Sequence, residues 1–233
     1  MAKVDPHERL LEEQIRYYRE RAPEYDEWYA RRGRYDLGAE GNRRWADELD
    51  QVQGALLASR PGGRVLEIAA GTGYWTRILA SRAETLTALD SSPEALARNR
   101  TRVGDPRVRY EIGDVFSWQP AERYDFVFFA FWVSHVPAPR MARFWQRVGA
   151  ALAPGGRVFL VDNLRSSSIR HPENPTAEDP TVERTLNDGR RFRIVKVYYT
   201  AAALAAELAA LGWRPELVET ERYFVLGSVE PSG

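Results

Sequence analysis

The chain contains no cysteine. That excludes disulfides, thiolate zinc sites, iron–sulfur clusters held by Cys and a thiol nucleophile. Histidine is almost as scarce: His7, His135 and His171 stand far apart, so no metal site built from imidazoles is expected. No run of twenty residues is free of charge, which excludes a helix that crosses a membrane. The opening MAKVDPHERLLEEQIRYY is charged throughout and has no apolar run. It predicts no signal peptide, a cytoplasmic chain and no membrane partner. Net charge is also missing, because 33 basic residues balance 33 acidic ones. A protein that grips a phosphate backbone shows a basic excess, so nucleic acid is not an expected partner. Finally, lysine is nearly absent. Only Lys3 and Lys196 break a set of 33 basic residues that is otherwise arginine. A bias that strong makes a retained lysine at 196 unusual.

What is present is enough for a large core. The 233 residues are 44% hydrophobic and 12% aromatic, which fits one large domain or a domain with a cap. Residues 1–60 read as a helical cap. Leu11, Ile15 and Tyr18 recur at helical spacing, and so do Trp45, Leu49, Val52 and Leu56. The aromatic, Arg-rich stretch 25–42 between them reads as a short broken helix and a loop. From residue 61 short apolar runs alternate with helical stretches. Strands are predicted over 64–69 (RVLEIA), 85–90 (TLTALD), 108–113 (VRYEIG), 124–132 (YDFVFFAFW) and 157–163 (RVFLVDN). Ser92-Pro93-Glu94 caps the helix after the second strand, and Met141, Phe144, Trp145, Val148 and Leu152 form the stripe of a later one. Pro154-Gly155-Gly156 then turns the chain.

Strands alternating with helices predict βαβ units in a mostly parallel α/β sheet, and such sheets bind ligands outside the carboxyl ends of their strands. The core is expected over 61–163. Residues 164–199 form an insert, of which the polar, proline-spaced part to 190 is the expected lid and RFRIVKVYY (191–199) a strand. Residues 200–233 add a helix capped by Thr200 and closed by Gly212, and a final strand hairpin.

The strongest motif is VLEIAAGTG (65–73), a strand that ends in an acid and runs into a glycine turn opening a helix. Glycines there let a ligand touch the main chain. A dinucleotide turn would read G-x-G-x-x-G, but those places hold Ala69, Gly71 and Tyr74, and a tyrosine would crowd a pyrophosphate. A nicotinamide oxidoreductase is therefore disfavoured. Asp90 ends the second strand, where a carboxylate can accept both ribose hydroxyls of a nucleoside. Asp114 follows the third strand, placed to accept from an exocyclic adenine amine. One such acid is usually a helix cap or a turn residue. Three acids on successive strand ends point to a ligand.

With EIAAGTG, LD at 89–90, GDVF at 113–116 and LAPGGRVFLVD at 152–162, the sequence resembles the class I S-adenosylmethionine-dependent methyltransferases over about residues 60–163. The resemblance implies their Rossmann-like fold, a mostly parallel seven-stranded sheet, and S-adenosyl-L-methionine as cofactor with S-adenosyl-L-homocysteine as product. It also implies roles. Gly71 and Gly73, with Ala69 where the family usually has its first glycine, lie against the amino-acid part of the cofactor. Glu67 holds the loop or the cofactor's amino group. Asp90 and Ser91 take the ribose. Asp114, Val115 and Phe116 frame the adenine. Trp75, Thr76 and Ala130 complete the cofactor set, with Tyr18 and Tyr25 closing over it from the N-terminal helices. For Tyr18, packing of its helix on the sheet is an equal alternative.

A narrower resemblance rests on YYRERAPEYD, GTGYWT, FFAFWVSHVP and RTLNDGRRFRIVKV. These are similar to small-molecule methyltransferases of bacterial secondary metabolism, a group that includes a phosphonate O-methyltransferase of antibiotic biosynthesis. This likeness implies that Arg184 and Lys196 bind an anionic acceptor. Tyr29, Arg32 and Tyr35 occupy the neighbourhood of that enzyme's active-site tyrosine and are the candidates for substrate contact, with Trp132. His135, just past the fourth strand, is the candidate base, with a plain loop histidine as the alternative. His171 sits in the polar insert, where solvent exposure is expected. If Asn187-Asp188-Gly189 is a three-residue hairpin loop, Arg184 pairs with Phe192 and shares a face with Phe192, Ile194 and Lys196. A two-residue loop puts the cations on opposite faces.

The expected function is methyl transfer to oxygen of a small, anionic molecule. The alternatives are transfer to nitrogen or carbon of a small metabolite, or a regulator that binds the cofactor without catalysis. An in-line displacement leaves the protein mainly positioning and water exclusion to supply. An oxyanion acceptor needs no base, whereas a hydroxyl would use His135.

Overall fold

The computed structural model describes residues 6–164 and 180–232. The chain opens with helices α1 (Pro6–Arg21), α2 (Asp26–Tyr29) and α3 (Gly38–Ala58), with a 3-10 turn over Gly33–Tyr35 between the last two. Strand β1 (Arg64–Ile68), helix α4 (Tyr74–Ala80), β2 (Thr85–Asp90), α5 (Pro93–Val103), β3 (Val108–Ile112) and β4 (Tyr124–Ala130) follow. A 3-10 turn over Val133–His135 leads into α6 (Ala138–Ala151) and β5 (Leu152–Asn163). The chain then makes β6 (Thr181–Thr185), β7 (Arg191–Val195), α7 (Ala201–Ala210), β8 (Trp213–Glu219) and β9 (Phe224–Pro231).

Seven strands form one sheet in the order β3-β2-β1-β4-β5-β9-β8, and β6 and β7 form a separate pair. The first five strands run parallel, and β9 and β8 close the sheet as an antiparallel hairpin. The strand order reverses between β1 and β4, the switch point where α/β sheets take ligands.

β4 shows why the sheet is covered on both sides. Phe126 and Phe128 pack into the cluster under α3 and α4, whereas Val127 and Phe129 pack into the one under α6 and α7. All four are at most 1% exposed. Side chains alternate between faces, so an unbroken apolar run serves both layers. The two sequence-predicted caps are present: Ser92 Oγ accepts from Ala95 N at 3.0 Å, and Thr200 Oγ1 from Ala203 N at 3.1 Å.

Several element ends differ from the expectation. β1 stops before Ala69 and β4 before Phe131, because both residues turn to φ +55°. Leu152 leaves the α6 stripe and begins β5, whose register against β4 breaks between Tyr124 and Phe126. The Pro154-Gly155-Gly156 segment thus lies inside the strand. The strand expected over 191–199 ends at Val195. Of the expected lid, residues 180–190 are strand β6 and a turn; 165–179, with His171, lie outside the described residues. No helix among the described residues is long and apolar enough to cross a membrane.

Hairpin β6–β7 packs on α1. Tyr17 joins Val182, Leu186, Phe192 and Ile194 in a small separate core. The register is Arg184 opposite Phe192 and Thr185 opposite Arg191, with Leu186 N donating to Arg190 O at 2.9 Å and Gly189 at φ +89°. The loop therefore has three residues, with glycine in the left-handed position.

Candidate active site

At the switch point a pocket opens between the strand ends and α1. Its floor is the turn after β1. Ala69 (φ +55°) and Gly71 (φ +55°) carry the backbone past the pocket. An alanine in this region costs roughly 1–2 kcal/mol relative to ordinary backbone, which is the cost of holding the turn open here. Asp90 braces the turn from β2. One of its oxygens accepts from Gly71 N at 2.8 Å and the other from Ser92 N at 2.8 Å. Burial pushes the Asp90 carboxyl up, and the backbone N–H groups of Ser92, Gly71 and Ser91 draw it back. Each oxygen keeps a lone pair, and Asp90 lines the pocket beside Ser91. Asp114, Val115 and Phe116 form the next wall; Asp114 is fixed by accepting from Phe116 N at 3.0 Å.

Glu67, Gly73, Trp75 and Thr76 lie behind the turn, outside the pocket lining. A side chain on Gly73 would meet Asn99 at 2.8 Å, so that glycine serves helix packing. Asn99 Nδ2 donates to Thr76 Oγ1 at 2.7 Å and Gly71 O at 3.2 Å. Thr76 in turn bonds Glu67. Of the two roles open for Glu67, this geometry favours bracing the loop. Burial pushes its carboxyl up to about 8, against the Thr76 bond and aided by Asp90. A raised acid adds full stability below its unfolded value of 4.5 and loses it as pH rises through about 8. The protein should therefore lose stability across that window by at most about 1.4 kcal/mol per pH unit from this group. Glu67→Gln should flatten that slope in thermal unfolding scans at pH 5, 7 and 9. An unchanged slope would mean that Glu67 titrates like an exposed acid.

The other end of the pocket is aromatic. Tyr18, Tyr25, Ala130, Trp132 and His135 line it, with Gln14, Thr72 and Arg140, three polar residues that sequence patterning missed. His135 is 6% exposed. Its Nδ1 lies 2.6 Å from Val195 O, and its Nε2 lies 2.8 Å from Tyr18 Oη. A carbonyl only accepts, so Nδ1 carries the proton and Nε2 accepts from the Tyr18 hydroxyl. Burial, with Lys196 next, holds the imidazole well below its usual value and hence neutral. Gln14 fixes the same corner, donating to His135 O at 3.2 Å and accepting from Val195 N at 2.9 Å.

Lys196 does not line the pocket. It is 4% exposed, with Nζ 2.7 Å from Ser134 Oγ, 3.4 Å from Asp162 Oδ1 and 3.3 Å from Asn163 Oδ1. Asp162 also accepts from Ser134 N at 2.9 Å, and Val197 N donates to Ser134 O at 2.8 Å. Together these bonds clamp the turn that carries His135 to β5 and to the end of β7. Arg184 shares the expected face, but its pairing partner Phe192 lies four residues from Lys196, about 13 Å along an extended chain. Arg184 is half-buried, within electrostatic reach of His135 and Tyr18.

The N-terminal candidates lie elsewhere. Tyr29 stacks on Tyr74 at 4.1 Å and accepts from Trp75 Nε1 at 2.9 Å. Arg32 is exposed, and Tyr35 accepts from Arg21 Nη2 at 3.0 Å. All three are absent from the pocket lining; α2 docks on the glycine turn, Thr72 Oγ1 donating to Asp26 at 2.6 Å, and Tyr29 packs with Trp28 in the cluster under α3 and α4.

Fold and pocket define an α/β protein that takes a nucleoside cofactor at the sheet's switch point. The lone pairs left on Asp90, the turn at Gly71 and the Asp114 wall fit such a group. A methyltransferase domain model matches residues 65–156. Trans-aconitate 2-methyltransferase of Variovorax paradoxus (strain S110) is 31% identical over 179 residues, covering 70% of this chain and 66% of that one. The chain thus spans just under two thirds of that relative's length. The structure of DhpI in complex with S-adenosylhomocysteine is 39% identical with a TM-score of 0.79, covering 95% of this chain and 97% of that one. DhpI with S-adenosylmethionine and HEP gives 37% and 0.81, covering 98% and 100%. The chain belongs to the S-adenosylmethionine-dependent methyltransferases.

Proposed function

We propose that the protein methylates an oxygen of a small anionic molecule. The observation that carries this is Arg184. Its half-buried guanidinium stands near Tyr18 and His135 with no hydrogen-bond or ion-pair partner among the described residues. A cation beside the acceptor end favours an oxyanion and repels an ammonium. When bound, S-adenosylmethionine supplies an electrophilic methyl group whose displacement leaves a neutral thioether. In this reading Asp90 accepts from the ribose hydroxyls, Asp114, Val115 and Phe116 hold the adenine, and Tyr25 with Gly71 flanks the amino-acid end. Tyr18 and Trp132 exclude water, and neutral His135 holds the Tyr18 hydroxyl in place. Positioning then supplies most of the rate.

The test is a methyl-transfer screen of the purified protein against small phosphonates, carboxylates, phenols and amines. Anionic oxygen acceptors should react, and Arg184→Ala should raise their KM while leaving kcat nearly alone. Transfer to amines only would overturn the reading. An oxyanion needs no base, so His135→Gln should cost less than about tenfold in kcat. A loss of roughly 10²–10⁴ would instead mark His135 as a general base for a hydroxyl acceptor.

A further inference from the structure

Behind the Tyr18 and Tyr25 wall lies a second layer of cationic and polar groups with unused bonding capacity. Arg21 ends α1 with 8% exposure, its guanidinium over the rings of Tyr25 (4.7 Å), Tyr17 (5.6 Å) and Tyr35 (5.6 Å). Nη2 donates to Tyr35 Oη, but Nε is buried with no acceptor. The hydroxyl of Tyr17, a fully buried residue, also has no partner. Arg184 approaches from the hairpin. By the period of two it shares the face of Val182 and Leu186, opposite Phe192, whose ring lies 5.6 Å from that of Tyr17. Both arginines act electrostatically on Tyr17, Tyr18 and His135.

No carboxylate pairs with either cation among the described residues. Three acids on α1 and just past its end are engaged elsewhere: Glu13 accepts from Arg193 N, Glu20 pairs with Arg16 and Arg190, and Glu24 pairs with Arg34. A buried donor without an acceptor costs its full desolvation, and a buried guanidinium without an anion costs more. Arg21 Nε and the Tyr17 hydroxyl therefore lack an acceptor, and Arg184 lacks an anion, among the described residues.

We infer that Arg21 and Tyr17, together with Arg184, seat the acceptor's anionic group, and that two guanidiniums select an oxyanion carrying two negative charges. This rests on the proposed reading of the acceptor as a small anion. The seat assigns Arg21 and Tyr17 to substrate specificity, and leaves Lys196 to the clamp that carries His135.

Inorganic phosphate, malonate and acetate serve as probes, titrated by calorimetry into the full-length protein saturated with S-adenosylhomocysteine. Phosphate or malonate should bind more tightly than acetate. Tyr17→Phe removes only an unpartnered hydroxyl, so the thermal midpoint should hold or rise. Its affinity for the dianion should fall roughly five- to tenfold, and Arg21→Lys should cost roughly tenfold or more. S-adenosylhomocysteine affinity should not change in either variant. Unchanged dianion binding in both variants would overturn the seat, and so would a loss of cofactor affinity, which would assign these donors to the cofactor's own carboxylate. If Arg184→Ala raises KM for an anionic acceptor while Tyr17→Phe and Arg21→Lys do not, the seat falls and the proposed function stands. If both variants weaken dianion binding but no anionic molecule is methylated, the proposed function falls and the anion seat stands.

Discussion

Replacing Lys196 with methionine should destabilise the protein by about 3–5 kcal/mol, the usual cost of stranding one partner of a buried ion pair. Asp162 is 1% exposed and would keep only the N–H groups of Ser134 and Asn163. Against a typical total of about 5–15 kcal/mol this is a large fraction, and the thermal midpoint should drop by roughly 10 °C. Asp162→Asn in the Lys196→Met background should restore part of the loss, because the uncompensated charge is gone. The resemblance to the small-molecule methyltransferases implies a different role, a lysine that contacts the acceptor. The two readings separate in one experiment. A Lys196→Met protein that melts like wild type but shows a raised KM for an anionic acceptor would return Lys196 to the substrate.

Asp90→Ala should weaken binding of S-adenosylhomocysteine by about 1.5–3 kcal/mol, between roughly tenfold and a hundredfold in Kd. Two effects combine. The ribose hydroxyls lose a charged acceptor, and Gly71 N and Ser92 N lose the oxygens that hold the turn and the start of α5. Asp90→Asn keeps one oxygen and should fall between. Calorimetry supplies the affinities, and the melting temperature of the unliganded variants separates loop loosening from ligand contact. Wild-type affinity in the alanine variant would remove Asp90 from the cofactor site.

Local chemistry made much of this legible in the sequence. The run YDFVFFA could be read as a strand covered on both faces because every residue on either side of the pleat, apart from Asp125 near its start, is apolar. Ser92-Pro93 and Thr200 marked helix starts because a side-chain oxygen and a fixed φ act within one turn. Asp90 was readable because a strand end fixes where its last side chain sits, and Asp114 because it begins the turn just past one. The three-residue turn at Asn187-Asp188-Gly189 was one of two registers that the sequence permitted, and the left-handed Gly189 marks the one adopted.

What depended on long-range contact was not legible. Gln14 meets His135 across 121 residues and Val195 across 181, and no periodicity along α1 encodes either bond. Asn99, on α5, holds the glycine turn 28 residues earlier, and no spacing within its helix encodes that bond. Tyr29 was a candidate for substrate contact, but with α2 docked on Thr72 it stacks on Tyr74 outside the pocket lining. The sequence by itself determined the sheet, its switch point and the acids that ring it, because these follow from alternation and from residues adjacent along the chain. Only the tertiary structure decided which cation is paired and which is left open. Burial against Asp162 satisfies Lys196 just past the end of β7, whereas Arg184 on β6 is left without a partner among the described residues.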